Sequence, residues 1–359
     1  MELKNYFRTI SVLIGAAVIV GGVADTADAA KKRVKWKMQS AFGGKIKHLG
    51  PSGTRFTDKV KSMSDGKFII KFHEPGALVP ALETFDAVSK GAIESAWTSP
   101  GYHAGRYGGL AFMTAVPFGP GFGEYMAWKW FGGGNAIRDR IYAKHDLLGF
   151  DSFAIGPETS GWFKFEVKSL EQMKGLKMRF FGLGGRVLSK IGVSTQLLAG
   201  GDIYPALERG VIEAAEFSMP TIDIGYGFYQ IAKNNYFPGW HQQISIGEFL
   251  VNKTKFESLP KSWQDMVDAS LGWQLAYTYA ETEAQNPPAM IEMAEKYGVK
   301  THRWKDEQLA VFEQAWRDVL KEESAKDALF KEFADSYLDF RAKYKKWGDA
   351  QYLKGTYLK

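Results

Sequence analysis

One 15-residue pattern occurs twice in this chain without a gap. Phe85-Asp-Ala-Val-Ser-Lys90-Gly91-Ala-Ile93-Glu94-Ser-Ala96-Trp97-Thr-Ser99 matches Tyr204-Pro-Ala-Leu-Glu-Arg209-Gly210-Val-Ile212-Glu213-Ala-Ala215-Glu216-Phe-Ser218 at its aromatic, Ala, aliphatic, basic, Gly, Ile-Glu, Ala and Ser positions. A Gly after a short helical run is ordinary C-capping, so the match gains weight from the elements around it. Before the first copy the apolar period predicts a strand at Val34 to Ala41, a helix from about Thr54 to Ser64 and a strand at Lys67 to Phe72. A helix from about Ala81 to Lys90 and a strand at Ala92 to Thr98 follow. The second copy closes the same order: strand Leu176 to Phe181, helix, strand Gly192 to Leu198, helix Asp202 to Arg209, strand Val211 to Phe217. Two βαβαβ units of one design predict an α/β protein of two similar lobes, with strand ends facing each other across a cleft.

That topology nominates the site. In open parallel sheets, ligands bind outside the carboxyl ends of the strands. Arg179 stands near the end of one such strand, and Glu216 and Phe217 end another. Glu158 follows Gly156-Pro157, where the chain is expected to cross between lobes. Phe42 and Tyr102 end or follow strands of the facing lobe. Alternate residues of a strand point oppositely, so one of Phe180 and Phe181 is expected to face the cleft.

Much else is excluded. Lys4 and Arg8, the apolar run Ile10 to Val23 and Ala27-Asp28-Ala29 read as a cleavable export signal over residues 1–29. The leader carries Lys4 and Arg8 against Glu2, Asp25 and Asp28, net −1, so its removal takes the formal charge from +6 to +7. With no cysteine, the exported chain has neither disulfides nor a lipid-modified N-terminal Cys. Its basic residues are scattered, unlike a nucleic-acid stripe, and suit an anionic small ligand or surface. No G-x-S-x-G, H-E-x-x-H or complete P-loop occurs. The six histidines, His48, His73, His103, His145, His241 and His302, lack ligand spacing and read as surface or cap residues.

Beyond the repeated units, Arg106 to Phe153 is rich in Gly and aromatics, and Gly247 to Asn252 reads as a strand returning to the first lobe. Helices are expected over Lys261 to about Glu295, Asp306 to Glu323 and Ala325 to Trp347, with Pro287-Pro288 kinking or breaking the first. Phe330, Phe333, Tyr337, Phe340, Tyr344 and Trp347 recur at three- and four-residue spacings along the last. Such a seam, arriving after both lobes are complete, points to a homodimer partner.

Several blocks carry a family resemblance: Ala115-Val-Pro-Phe-Gly119, Gly132-Gly-Gly134, Gly161-Trp162-Phe163, Leu176-Lys-Met-Arg179, Ala199 to Gly210 and Tyr236-Phe-Pro-Gly-Trp240-His241. Over essentially the whole mature chain they resemble the DctP-type solute-binding proteins of TRAP transporters, nearest the branch for 2-oxo and 2-hydroxy monocarboxylates. The resemblance implies a two-lobed periplasmic-binding-protein architecture (type II-like) with long C-terminal helices. It also implies a periplasmic, non-catalytic receptor that closes on an organic acid and delivers it to a small and a large membrane subunit. Arg179 takes the role of the arginine that pairs with the ligand carboxylate. Glu158, Glu216, the Phe217 carbonyl and Gln242 become candidate ligands of a sodium or calcium ion. Some dimers of this branch exchange a C-terminal helix. Departures are Glu158 where the branch favours Gln, Phe217 for Trp, Ser160-Gly161-Trp162 for Gly-Gly-Trp, and Gln242-Gln243 for Pro-Gly.

The expected layout is a signal at 1–29, lobe one over 30–155, lobe two over 156–246, a return to lobe one with connecting helices over 247–324, and a dimerising helix over 325–359. The rings of Phe180, Phe181, Phe217, Phe42 and Tyr102 favour a monocarboxylate with an apolar or aromatic body. The alternative ligand is a small 2-oxo or 2-hydroxy acid bridged by a metal ion. A secreted hydrolase using Glu158 and Glu216 as a carboxylate pair, and a membrane-anchored sensor keeping its leader, are the other classes open to the chain.

Overall fold

The structure, a computed structural model, describes residues 33–351. The export signal lies outside the described residues. The first half runs β1 (Val34–Ser40), α1 (Leu49–Met63), β2 (Phe68–His73), α2 (Thr84–Ser89), β3 (Ser95–Thr98), α3 (Phe122–Phe131), α4 (Gly134–Ala143) and β4 (Leu147–Ile155). Next come β5 (Gly161–Phe163), β6 (Lys177–Arg179), α5 (Gly182–Lys190), β7 (Ser194–Gln196), α6 (Gly200–Glu208), β8 (Ala214–Ala215), α7 (Pro220–Tyr226) and β9 (Asn234–Phe237). The remainder is β10 (Ser245–Asn252), α8 (Lys253–Glu257), α9 (Lys261–Glu295), β11 (Lys300–Arg303), α10 (Asp306–Lys326) and α11 (Ala328–Gln351).

Two sheets result, ordered β2-β1-β3-β10-β4 and β11-β9-β5-β8-β6-β7. In the first, β1 runs parallel to β2 and β3, the arrangement a right-handed βαβαβ unit produces. The second repeats it, with β6 parallel to both β7 and β8. This is the two-lobed α/β fold that the repeated pattern predicts. The chain crosses between the sheets after β4, returns before β10, and crosses again along α9 to β11. Strand β10 is buried along its length because β3 and β4 flank it on both sides. Helix α1 turns Leu49, Gly53, Phe56 and Val60 inward at helical spacing and lies on that sheet.

Three expectations change. Helix α9 is continuous through Pro287 and Pro288. Both prolines and the preceding Glu283 and Ala284 are exposed, so the carbonyls left without an N–H donor face water. Strand β11, absent from the sequence reading, pairs with β9 of the second sheet. Third, the aromatic stripe of α11 divides. Phe330, Phe333 and Tyr337 are buried in the chain's own core against Phe112 and Trp128, whereas Trp347 is 57% exposed. An amphipathic helix ordinarily covers its own protein in this way.

The lobes meet on aromatic rings. Tyr102 stands edge-on to Phe181 with centroids 5.2 Å apart, and Phe42 meets Tyr102 at 5.9 Å and Phe153 at 5.6 Å. A Cβ at Gly101 would lie 2.3 Å from the Phe181 ring. Glycine there lets the first lobe approach the second closely.

Candidate functional site

Strands β6 and β8 place Arg179 opposite Ala215, so the backbone N–H of Glu216 donates to the Arg179 carbonyl at 3.0 Å. The side chains meet just past the strand ends. Arg179 is 1% exposed and Glu216 fully buried. The Arg179 Nη1 donates to Glu216 Oε2 at 3.0 Å and to the Glu216 carbonyl, while Nε donates to the Leu198 carbonyl at 3.2 Å. Glu216 Oε2 also accepts the Phe181 N–H at 3.0 Å. The guanidinium lies 5.1 Å from the Phe217 ring centroid and 5.9 Å from that of Phe181, so apolar rings hold its plane while one edge bonds. No hydrogen bond from Nη2 occurs among the described residues.

Glu158 reaches the same place from the crossing after β4. Its Oε2 accepts Gln242 Nε2 at 2.9 Å, and Ser218 Oγ donates to Oε1 at 3.4 Å. A Cβ at Gly239 would fall 2.1 Å from the Glu158 carbonyl oxygen. The glycine thus lets residues 239–242 lie against Glu158 and bring His241 and Gln242 inward. His241 Nε2 is 3.4 Å from Glu216 Oε1 and 3.8 Å from Glu158 Oε2.

The charges are sorted by environment. Burial pushes Glu158 well above the usual carboxylate range, and the nearby Glu216 and Asp223 charges add to the effect. Burial also opposes ionisation of Glu216, but the Arg179 guanidinium, His241 and the Phe181 N–H outweigh it and hold that carboxyl low. Asp223 is raised by burial against the opposing hydrogen bond from Trp162 Nε1 at 2.7 Å. Burial pushes the Tyr102 phenol up to about 12.

Phe42, Tyr102, Glu158, Arg179, Phe217 and Gln242 all line one cavity between the sheets, and Glu216 is ion-paired with Arg179 beside it. Its volume of about 30 Å³ suits a few non-hydrogen atoms. Phe181 lines it, whereas Phe180 turns away onto Trp240 and His241.

The histidine reading needs correction. His48, His103 and His241 are buried, at 3%, 4% and 1% exposure. Each lies where separate chain segments meet, which sequence spacing does not reveal. His241 belongs to the site that sequence reasoning denied it, and its signal was its place in the Phe-Pro-Gly-Trp-His block. Asp223, buried within the short helix α7 and bonded to Trp162, was also not singled out.

Residues 44–327 match the family DctP, the bacterial extracellular solute-binding proteins of family 7. This chain belongs to that family. A monocarboxylate 2-oxoacid-binding periplasmic protein from Nostoc sp. is 35% identical over 357 residues, covering 97% of this chain and 96% of that one. A TRAP transporter solute-binding protein from Bordetella bronchiseptica is 31% identical with a TM-score of 0.86, covering 89% of this chain and 95% of that chain. That protein is a mixed-occupancy dimer with copurified calcium and picolinate in one site. A third relative, from Pseudoalteromonas atlantica, is 28% identical with a TM-score of 0.85, covering 89% and 97%, and holds sodium and pyruvate. This DctP-family chain is therefore a TRAP-type solute-binding protein, as its sequence blocks predict. Among the described residues no helix is long and apolar enough to cross a membrane.

Proposed function

We propose that this chain is a periplasmic receptor for a small monocarboxylate 2-oxo acid of pyruvate size, bound together with a cation. It hands that acid to the small and large membrane subunits of a TRAP transporter. The carrying observation is Arg179, buried at the strand ends beside a cavity of about 30 Å³ with Nη2 unbonded among the described residues. A guanidinium already oriented by Glu216 and two rings offers a carboxylate directional charge-assisted hydrogen bonds. The acid's 2-oxo oxygen and carboxylate can chelate a cation held by Glu158, Glu216, the Phe217 carbonyl and Gln242, donors that suit sodium or calcium.

The volume supports a small acid over one with a ring. The rings of Phe42 and Tyr102 favour an aromatic acid as the second reading. Catalysis by a carboxylate pair fits poorly, because Glu216 is tied to Arg179 and the cavity has no room for a sugar ring. The leader 1–29 would direct export, with lobes divided near residues 155 and 246. The exposed end of α11, carrying Trp347, suits contact with a second copy.

Calorimetry with pyruvate and with an aromatic acid, each with calcium and again in chelator, tests the ligand reading. Saturable pyruvate binding that weakens in chelator is the expected result. Tight aromatic-acid binding indifferent to chelator, without pyruvate binding, would reverse the order of the two.

A further inference from the structure

Phe153 belongs to the part of the cavity wall that the first lobe contributes, and three neighbours hold its ring in place. Strands β4 and β10 pair antiparallel with Phe153 opposite Gly247, and the register then slips by one residue, leaving Ser152 as a bulge. A bulge turns the side chains beside it out of their regular alternation. Here the tip of the Phe153 ring comes to rest on its glycine: a Cβ at Gly247 would fall 1.9 Å from Cζ. A side chain at 247 would thus evict the ring. Retreat is blocked by Trp97, whose centroid lies 5.4 Å from that of Phe153. This indole is fully buried, stacked on Phe56 at 5.5 Å and tied through Nε1 to Ser52 Oγ at 3.2 Å. Phe42 meets the Phe153 ring edge to face with centroids 5.6 Å apart. The polar groups of the cavity lie elsewhere: Arg179, Glu158 and Gln242 come from the second lobe or the crossings. An acid with its carboxylate on Arg179 therefore turns its carbon tail toward the first lobe, where a pinned ring receives it.

We propose that Phe153, seated over Gly247, sets the length of the carbon chain that this receptor accepts. It admits pyruvate and 2-oxobutyrate and turns away longer, branched 2-oxo acids such as 2-oxoisocaproate. This rests on the reading of the chain as a 2-oxo acid receptor, and it names the class of acid within that reading. Protein interiors are packed as densely as organic crystals, so a methylene that finds no space forces strain on its surroundings. A wall of flexible methionines could repack around a larger tail. A ring fixed between a glycine, an indole and a second ring has no such freedom. One methylene in an apolar pocket changes affinity roughly 10- to 200-fold, so a single immovable ring is enough to separate pyruvate from its larger homologues.

The test is calorimetry on the full mature chain with calcium present, titrating pyruvate, 2-oxobutyrate and 2-oxoisocaproate into the wild type, Phe153→Ala, Phe153→Leu and Leu49→Ala. The wild type should bind 2-oxoisocaproate at least about a hundredfold more weakly than pyruvate. Phe153→Ala should narrow that ratio to about tenfold or less by tightening the longer acid, and Phe153→Leu should narrow it part of the way. Leu49→Ala, which enlarges the same cavity from α1, should move the ratio less than Phe153→Leu does. The ratio of the two dissociation constants is the readout, because a variant that merely loosens the fold weakens both acids together. An unchanged ratio in both Phe153 variants, or an equal change in Leu49→Ala, would overturn the proposal. So would a wild type that binds 2-oxoisocaproate as tightly as pyruvate, a result that needs no variant to fold. Pyruvate binding with an unmoved ratio removes only the role of Phe153, whereas a wild type that binds none of the three acids removes the receptor reading itself.

Discussion

At the scale of single residues, the site works by setting similar groups in different surroundings. Glu216 is ionised because Arg179 and a backbone N–H face it, while Glu158, equally buried and beside the Glu216 and Asp223 charges, is driven toward its neutral form. The pH consequence of the second has a definite sign. A carboxyl whose folded pKa is raised loses no stability below its ordinary value of 4.5, since both states are then protonated. Above that value the unfolded chain ionises freely and the folded one does not, so stability falls until the folded pKa is passed. Glu158→Gln in chelator and without ligand should therefore melt like the wild type near pH 4. Its advantage should grow by about 1.4 kcal/mol per pH unit above 4.5 within that window. Urea unfolding at a series of pH values checks this; a constant difference would show that Glu158 does not titrate as its burial implies. Arg179 and Glu216 were legible in the sequence because strand ends are where parallel sheets bind ligands. His241 was not, because its partners lie far away along the chain and no period connects them.

Elements tell a similar story. The strands and helices of the two βαβαβ units could be read because each carries its own apolar period and turn residues, with boundaries shifting by a few residues. Strands β5, β9 and β11 are three or four residues long, too short to show a period, and exist because neighbouring strands offer edges to pair with. Helix α11 exposes the limit of reading a stripe: spacing reveals that six rings share a face, but not what covers that face. Phe333→Ala should cost about 3–5 kcal/mol in unfolding experiments, because a fully buried ring against Phe112 leaves a cavity. Trp347→Ser should stay within about 0.5 kcal/mol for the monomer, yet weaken any self-association seen by light scattering. If the two variants lose equal stability, the division of the helix into a core half and an exposed half is wrong.

At the scale of the whole molecule, the lobes join at the cleft and through polar contacts around it, among them the Phe118 N–H donating to the Trp240 carbonyl and the ring of His48. His48 precedes α1 with a left-handed backbone, φ 62°, and its ring touches Glu281 Oε2 on α9 and Thr221 Oγ1 on α7, both at 3.0 Å. Thr221 lies on the second lobe and Glu281 on the connecting helix, so the ring ties the first lobe to both. His48→Ala keeps the backbone cost of a left-handed residue but removes both hydrogen bonds. About 1–2 kcal/mol of ligand affinity should go with them, roughly a five- to thirtyfold rise in Kd, with little change in the rate of ligand entry. Unchanged affinity would mean that closure does not depend on this contact.

Central to the account is a carboxylate held by Arg179 in a small closed cavity. Calorimetry of pyruvate, with calcium present, against the wild type, Arg179→Lys and Arg179→Ala addresses it directly. One saturable site is expected in the wild type, with a loss on the order of 3 kcal/mol or more in Arg179→Ala, because the acid and Glu216 both lose their buried partner. Arg179→Lys guards against misfolding; it keeps the charge and should recover only part of the affinity, since an ammonium cannot present the planar fork. Pyruvate binding by a folded Arg179→Ala as tight as that of the wild type would contradict the account.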